Sequence, residues 1–138
     1  MVKIPAKYVA GLTPAEKKRR IKRIIEGMKS NTNDPRAYRP FPTDKGKKTR
    51  RSTYTTQFYK KYPGARSLRE KAKASGVPYR IIKEVYDRGL AAWRTGHRPG
   101  ASQQAWGYAR VHSFIMKGKT YYTADSDLAR KLNRAKSR

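Results

Sequence analysis

Apolar residues along this chain recur mostly at three-and-four spacing, and they are separated by stretches dense in lysine and arginine. From Pro14 to about Lys29, Ile21, Ile24, Ile25 and Met28 line one stripe, while Lys17, Lys18, Arg19, Arg20, Lys22 and Arg23 cover the other face. Thr13-Pro14-Ala15-Glu16 sets a capping box ahead of that stripe, with proline at the first helical position. A second box, Ser67-Leu68-Arg69-Glu70, opens a short helix ending near Gly76, and Val77-Pro78 starts another that reaches about Arg94. Ala72, Gly76, Val77, Ile82 and Val85 have helix-turn-helix spacing: a small residue for close approach, a glycine turn, and branched residues that seat the second helix. A further helix from Ser102 carries Trp106, Tyr108, Ala109, Val111, Ile115 and Met116. The last begins at Thr123 to Asp127, with carboxylates in its first turn and Arg130, Lys131, Arg134, Lys136 and Arg138 after them.

Between Ser30 and Arg66 the periodicity lapses. Asn31 to Pro35 is turn-rich, Pro40 and Pro42 follow, and Lys45-Gly46-Lys47-Lys48-Thr49-Arg50-Arg51 is a basic run. Thr53 to Tyr59 (TYTTQFY) is the strand candidate by composition, and Lys119 to Tyr122 reads as a brief extended piece. A structureless loop of this length is unusual inside a compact domain, so the stretch reads as an arm. The expected fold is mainly α. A small helical domain over 67–138, with a helix-turn-helix-like unit, a tryptophan helix and a basic C-terminal helix, follows a basic amphipathic helix and an extended basic arm over 1–66.

Charge changes the picture more than size does. The 138 residues hold 35 Lys and Arg against 9 Asp and Glu, a net charge of +26, and only 36% are hydrophobic. Up to Arg66 there are 19 basic and 4 acidic residues, and beyond it 16 and 5. Self-repulsion at that density opposes compactness, so an anionic partner is expected. There are no cysteines, which excludes disulfides and thiolate metal sites. No apolar run approaches the ~20 residues of a membrane span. The opening MVKIPAKYVAGLTPAEKKRR lacks the apolar core of a signal peptide, so the expectation is a protein that stays where it is made or travels within an assembly.

Searching for chemistry returns little. The 2 histidines do not stand in H-x-x-x-H spacing, there is no phosphate-loop signature, and helix capping explains the Asp125 and Asp127 pair. Arginines, histidines and tyrosines together suggest a tyrosine recombinase, but its H-x-x-R spacing is absent because Arg98 directly follows His97. The expectation is a protein that is not an enzyme, with no cofactor and no metal.

For nucleic acid the inventory is fuller. Candidate phosphate contacts are Lys17, Lys18, Arg19, Arg20 and Arg23 on the first helix, then Lys45, Lys47, Lys48, Arg50 and Arg51 in the arm. His97 and Arg98 in the turn Gly96-His97-Arg98-Pro99-Gly100 and Arg110 on the tryptophan helix complete the set. That turn reads first, however, as a folding corner between two core tryptophans, Trp93 and Trp106. Tyr38, Phe41, Tyr54, Phe58, Tyr59 and Tyr62 suit stacking on unpaired bases, or anchoring the arm on a protein neighbour. The would-be recognition helix shows Tyr79, Arg80, Lys83, Glu84 and Asp87, and its two acids argue against entry into a DNA groove.

The chain resembles a family of small, basic, uncharacterised proteins of large double-stranded DNA viruses of algae and protists. The likeness rests on Tyr8-Val9 with Leu12-Thr13 before the basic helix, and on Tyr86-Asp87-Arg88-Gly89, Ala92-Trp93 and Arg98-Pro99. It is clearest in Gln104-Ala105-Trp106-Gly107-Tyr108-Ala109-Arg110. It covers about half the chain, mostly from Ser67 to Met116; many relatives carry tyrosines where this chain has Ala92-Trp93. The resemblance implies a viral protein carried in the virion, present in the host nucleus or cytoplasm during assembly, and assigns no activity or site. Together these readings predict a basic virion protein that binds packaged nucleic acid, DNA ahead of RNA, through phosphates and as part of a large assembly. The rivals are a minor capsid or cement protein whose arm binds acidic capsid surfaces, and an RNA-binding protein of ribosomal character.

Overall fold

The structure is a computed structural model that describes residues 4–30, 33–47 and 51–136, and it is mainly helical, with no strand among them. Seven helices follow in order: α1 (Pro14–Lys29), α2 (Thr53–Lys61), α3 (Leu68–Ser75), α4 (Tyr79–Ala92), α5 (Gln103–Ile115), α6 (Lys119–Tyr122) and α7 (Ser126–Lys136). Short 3-10 turns occupy Ala6–Val9, Pro35–Tyr38, Pro42–Asp44 and Trp93–Thr95. Both capping boxes form. The Thr13 hydroxyl accepts from the Glu16 N–H while Glu16 accepts from the Thr13 N–H, and Ser67 and Glu70 repeat the arrangement. Gly76 closes α3 at φ 77°, a left-handed conformation that glycine adopts without Cβ strain.

The chain divides into two compact units that interleave along the sequence. One comprises Met1–Arg50 with Leu90–Trp106, the other Arg51–Gly89 with Gly107–Arg138. The division therefore differs from a linear one at residue 66.

In the first unit, Ile24, Phe41 and Trp93 are buried, with Ile4, Tyr8, Tyr38 and Trp106 packed around them. Helix α1 turns Arg20, Ile24 and Gly27 inward, which is an i, i+4, i+7 face. Gly27 lies so close to the Arg94 carbonyl that a Cβ there would overlap it. The expected extended arm is corrected here: Pro35–Tyr38 and Pro42–Asp44 are helical turns, and Ala37 and Phe41 are buried.

The second unit centres on Val77, Ile81, Ile82, Val85, Val111, Phe114, Tyr121, Leu128 and Leu132. Gly89 of α4 and Gly107 of α5 bring backbones together; a Cβ on Gly89 would stand 2.8 Å from the Gly107 Cα. TYTTQFY is a helix, not a strand. Thr55, Phe58, Tyr59 and Tyr62 stand at i, i+3, i+4 and i+7, and that spacing overrides the β-preference of threonine and tyrosine once Phe58 is buried. Lys119 to Tyr122 is likewise a helical turn, held by burial of Tyr121 and by the Thr123 hydroxyl donating to the Lys119 carbonyl at 2.8 Å.

Candidate nucleic-acid interface

With 9 acidic residues against 35 basic ones, the partner of each carboxylate decides where uncompensated charge lies. Most of the carboxylates are engaged within the fold. In the first unit, Asp44 accepts from Arg20 Nη1 at 2.6 Å and the Gly100 N–H at 2.9 Å through Oδ1, and faces His97 Nε2 at 2.6 Å through Oδ2. Glu16 serves the α1 cap and sits 3.3 Å from Lys47 Nζ. In the second unit, Arg110 holds the fully buried Asp125 with two hydrogen bonds of 2.8 and 2.9 Å. Arg88 spans Glu84, Asp125 and Asp127, at 3.0, 3.2 and 2.8 Å. Its hydrogen bonds depress the Asp127 carboxyl far below the usual range. Lys83 pairs with Asp87 at 2.7 Å, and Glu70 serves the α3 cap.

Arg20 is the most deeply committed cation. Its side chain is fully buried, Nε donates to the Tyr8 carbonyl, Nη1 to Thr43 Oγ1 as well as Asp44, and Nη2 to the His97 carbonyl at 2.6 Å. Every nitrogen has an acceptor, which is what burial of a guanidinium requires. His97 is also buried, lies against Trp93 and Phe41, and places Nδ1 2.9 Å from the Trp93 carbonyl. Both ring nitrogens thus meet an oxygen of the fold, the Trp93 carbonyl on one side and the Asp44 carboxylate on the other. Burial works to raise the Asp44 carboxyl, but the hydrogen bonds from His97 and Gly100, the His97 charge and Arg20 outweigh it. Asp44 is held below the ordinary carboxylate range.

The sequence-derived candidates therefore separate. Arg20 and His97 are framework side chains, out of reach of a phosphate, and their assignment as contacts is corrected on that ground. Arg110 is bound to Asp125 and only partly exposed, while Arg23 donates to the Ala37 and Arg39 carbonyls and lies 4.3 Å from the Phe41 ring. Lys47 is tied to Glu16. Lys17, Lys18, Arg19, Lys45 and Arg98 are exposed in the first unit, and Arg51 is exposed in the second. Lys48 and Arg50 lie outside the described residues.

The sequence reading missed a cluster around Tyr59. Lys71 is fully buried with no ion-pair partner among the described residues: Nζ donates to Tyr59 Oη and the Ala65 carbonyl, both at 2.8 Å, and lies 4.6 Å from the Phe58 ring. Burial lowers its pKa, and the Tyr59 hydroxyl opposes that shift. The guanidiniums of Arg51 and Arg66, both exposed, lie 5.3 and 5.0 Å from the Tyr59 ring centroid, so this ring carries two arginines with no ion-pair partner among the described residues. Phe58 stacks on His112, whose Nδ1 meets Thr55 Oγ1 at 2.8 Å and whose buried Nε2 has no hydrogen-bond partner among the described residues. Burial, then the charges of Lys71 and Arg51, push the His112 imidazole down to about 3. Arg51 and Arg66 lie in separate sequence contexts, and only the helical reading of 53–61 brings both to Tyr59.

No group of His, Asp and Glu among the described residues could hold a metal ion. No helix among them is long and apolar enough to cross a membrane. Comparison with curated proteins and with solved structures returns no match. A family pattern does match, over residues 5–132, and by it the chain belongs to the family of unknown function DUF5824.

Proposed function

We propose that this protein is a basic structural component of a virion that holds packaged nucleic acid through its phosphates, duplex DNA ahead of RNA, with little dependence on sequence. One observation carries the reading: most of the carboxylates are tied up in caps and ion pairs of the chain itself, while many surface cations have no ion-pair partner among the described residues. Polyanion phosphates relieve the resulting repulsion and release counterions on binding. In the first unit the available groups are Lys17, Lys18, Arg19, Lys45 and Arg98. In the second they are Arg51, Lys60, Lys61, Arg66, Lys73 and Arg80.

The exposed face of α4 suits this sequence-independent mode. Lys83 neutralises Asp87 and Arg88 neutralises Glu84, so two of its cations are committed along the helix. The rival cement reading called for aromatics free to anchor an arm on shell proteins. Phe41 and Phe58 are buried within this chain instead.

The test is a fluorescence titration of the full chain against two unrelated duplexes at several salt concentrations. Engaging about six to ten phosphates lowers affinity by roughly 10³ to 10⁵ between about 50 and about 200 mM salt, equally for both sequences. Failure to bind either duplex at about 50 mM salt overturns the proposal and puts an acidic capsid surface in first place. Release of the protein with the genome rather than the shell, on stepwise dissociation of purified virions, is the expected outcome for location.

A further inference from the structure

Helix α1 has a second face that phosphate binding leaves unexplained. Its inward side is Arg20, Ile24 and Gly27. Outward it carries Ile21 and Ile25, both half-buried, and Met28, which is 39% exposed and one of two large hydrophobics so open among the described residues. On the helical wheel these three stand together, with Lys17 on one flank and Lys18, Lys22 and Lys29 on the other, all four exposed. None of those lysines has an ion-pair partner among the described residues. Glu26 lies beyond Lys22, beside Arg23.

Three occupants compete for such a face. A phosphodiester backbone offers the lysines a partner but gives Met28, Ile21 and Ile25 nothing to bury against. An acidic amphipathic helix would need a groove with two walls, whereas the shallow depression here is lined by Lys18, Ile21, Lys22, Ile25, Glu26 and Lys29, all from α1. An anionic lipid surface satisfies both chemistries without a second wall. The apolar crest enters the boundary of headgroups and acyl chains, and the flanking lysines extend their stems to the phosphates. At 16 residues α1 is about 24 Å long, enough to lie in that plane over several headgroups.

We infer that the Ile21, Ile25 and Met28 face of α1 docks on an anionic phospholipid surface, through shallow insertion of these side chains between lysine-bound headgroups. This goes beyond nucleic-acid binding and uses a different face of the same helix from its packed side.

The chain has no cysteine, so the single variant Met28→Cys accepts one environment-sensitive fluorophore on the full-length protein, and Gln57→Cys, at an exposed uncharged position of α2, serves as the control. Vesicles of phosphatidylcholine alone, vesicles with about 30% phosphatidylserine, and a duplex DNA are the three titrants. The Met28 label shifts to the blue and gains roughly threefold in emission on the phosphatidylserine vesicles, keeping part of that gain at about 0.5 M salt. It does neither on neutral vesicles or DNA, and the Gln57 label does not respond to either kind of vesicle. Adding Ile25→Gln to the labelled protein removes the gain while charge-driven sedimentation with the vesicles persists at low salt. Three results overturn the inference: a label that stays in water on vesicles that carry the protein down, an equal shift on DNA, or a label already blue in the free protein. The last would mean that a second copy or the chain itself covers the face.

Discussion

His97 lies flat against Trp93, ring centroids 4.3 Å apart and planes 9° apart, and its Nδ1 reaches back to the Trp93 carbonyl at 2.9 Å. A residue four positions on thus stacks on the indole that precedes it, and its other nitrogen is free to meet Asp44. Through Asp44 the turn is joined to Arg20 of α1, so stack, carboxylate and guanidinium form one buried assembly.

That assembly makes the first unit sensitive to acid in a stated direction. The Asp44 carboxyl is held below its ordinary range, so the unfolded chain binds its proton more readily. Its stabilisation is complete above the usual carboxylate pKa and is lost as pH falls through the lowered value. Asp44→Asn leaves Arg20 buried without its counter-charge and should cost about 3–5 kcal/mol at neutral pH. Both tryptophans, Trp93 and Trp106, belong to this unit, so indole fluorescence during urea unfolding reads it directly. The variant should show a lower midpoint at pH 7 and a flatter dependence below pH 5. Equal midpoints at neutral pH would show that Arg20 does not need the carboxylate.

Much of the helical framework was legible, because a capping box and a periodic apolar stripe are local signals. Thr13 with Glu16, Ser67 with Glu70, and Gly76 all stand as their sequence contexts indicate. The orientation of α1 was not legible from hydrophobicity alone. Ile21, Ile24, Ile25 and Met28 look like the core stripe, yet of these only Ile24 is buried, and the packed face runs through Arg20, Ile24 and Gly27. The reason is Asp44, one of few acids in a chain of +26, which takes a cation inward and turns the helix with it. Scarcity of acid was the available signal: each carboxylate in such a chain is worth pairing before any arginine is assigned to a phosphate. The tryptophans were expected together in a C-terminal core. They do share a cluster, Trp93 buried and Trp106 partly buried against it, but the other buried members, Ile24 and Phe41, come from before residue 66. Deleting 1–66 would therefore strip Trp93 of its neighbours and cannot serve as a clean test of charge.

His112 gives the second unit its own pH window. With its pKa pushed down to about 3 by burial and by Lys71 and Arg51, the folded imidazole stays neutral while the unfolded one takes a proton below about 6.5. Stability then falls as pH drops from about 6.5 toward 3, by about 2 kcal/mol at pH 5. His112→Phe keeps a ring against Phe58 and removes both the titration and the partnerless Nε2. Urea unfolding followed by circular dichroism should show the wild-type protein losing this increment between pH 8 and pH 5 and the variant keeping it. The same loss in both proteins, or an imidazole that titrates near 6.5 by NMR in the folded state, would refute the assignment.

Separation of cations into available and committed groups can be tested one pair at a time. Arg51 and Arg66 are exposed, share the Tyr59 ring and have no ion-pair partner among the described residues, so each is placed to neutralise one phosphate. Replacing both by alanine should reduce the slope of log affinity against log salt by at most about two units, equally for any duplex. The fold should tolerate the change, since exposed cation–π contacts are worth only about 0.5–1 kcal/mol each. Lys83→Ala with Asp87→Ala is the matched control, because it removes a cation together with the carboxylate that already neutralises it. Its slope should equal that of the unaltered protein. Arg98→Ala should fall between them, at one phosphate at most. If the Lys83 and Asp87 pair lowers the slope as much as the Arg51 and Arg66 pair, affinity follows total cation number. Partnering inside the fold would then have no bearing on which groups meet the phosphates, and the observation on which the proposed function rests would lose its force.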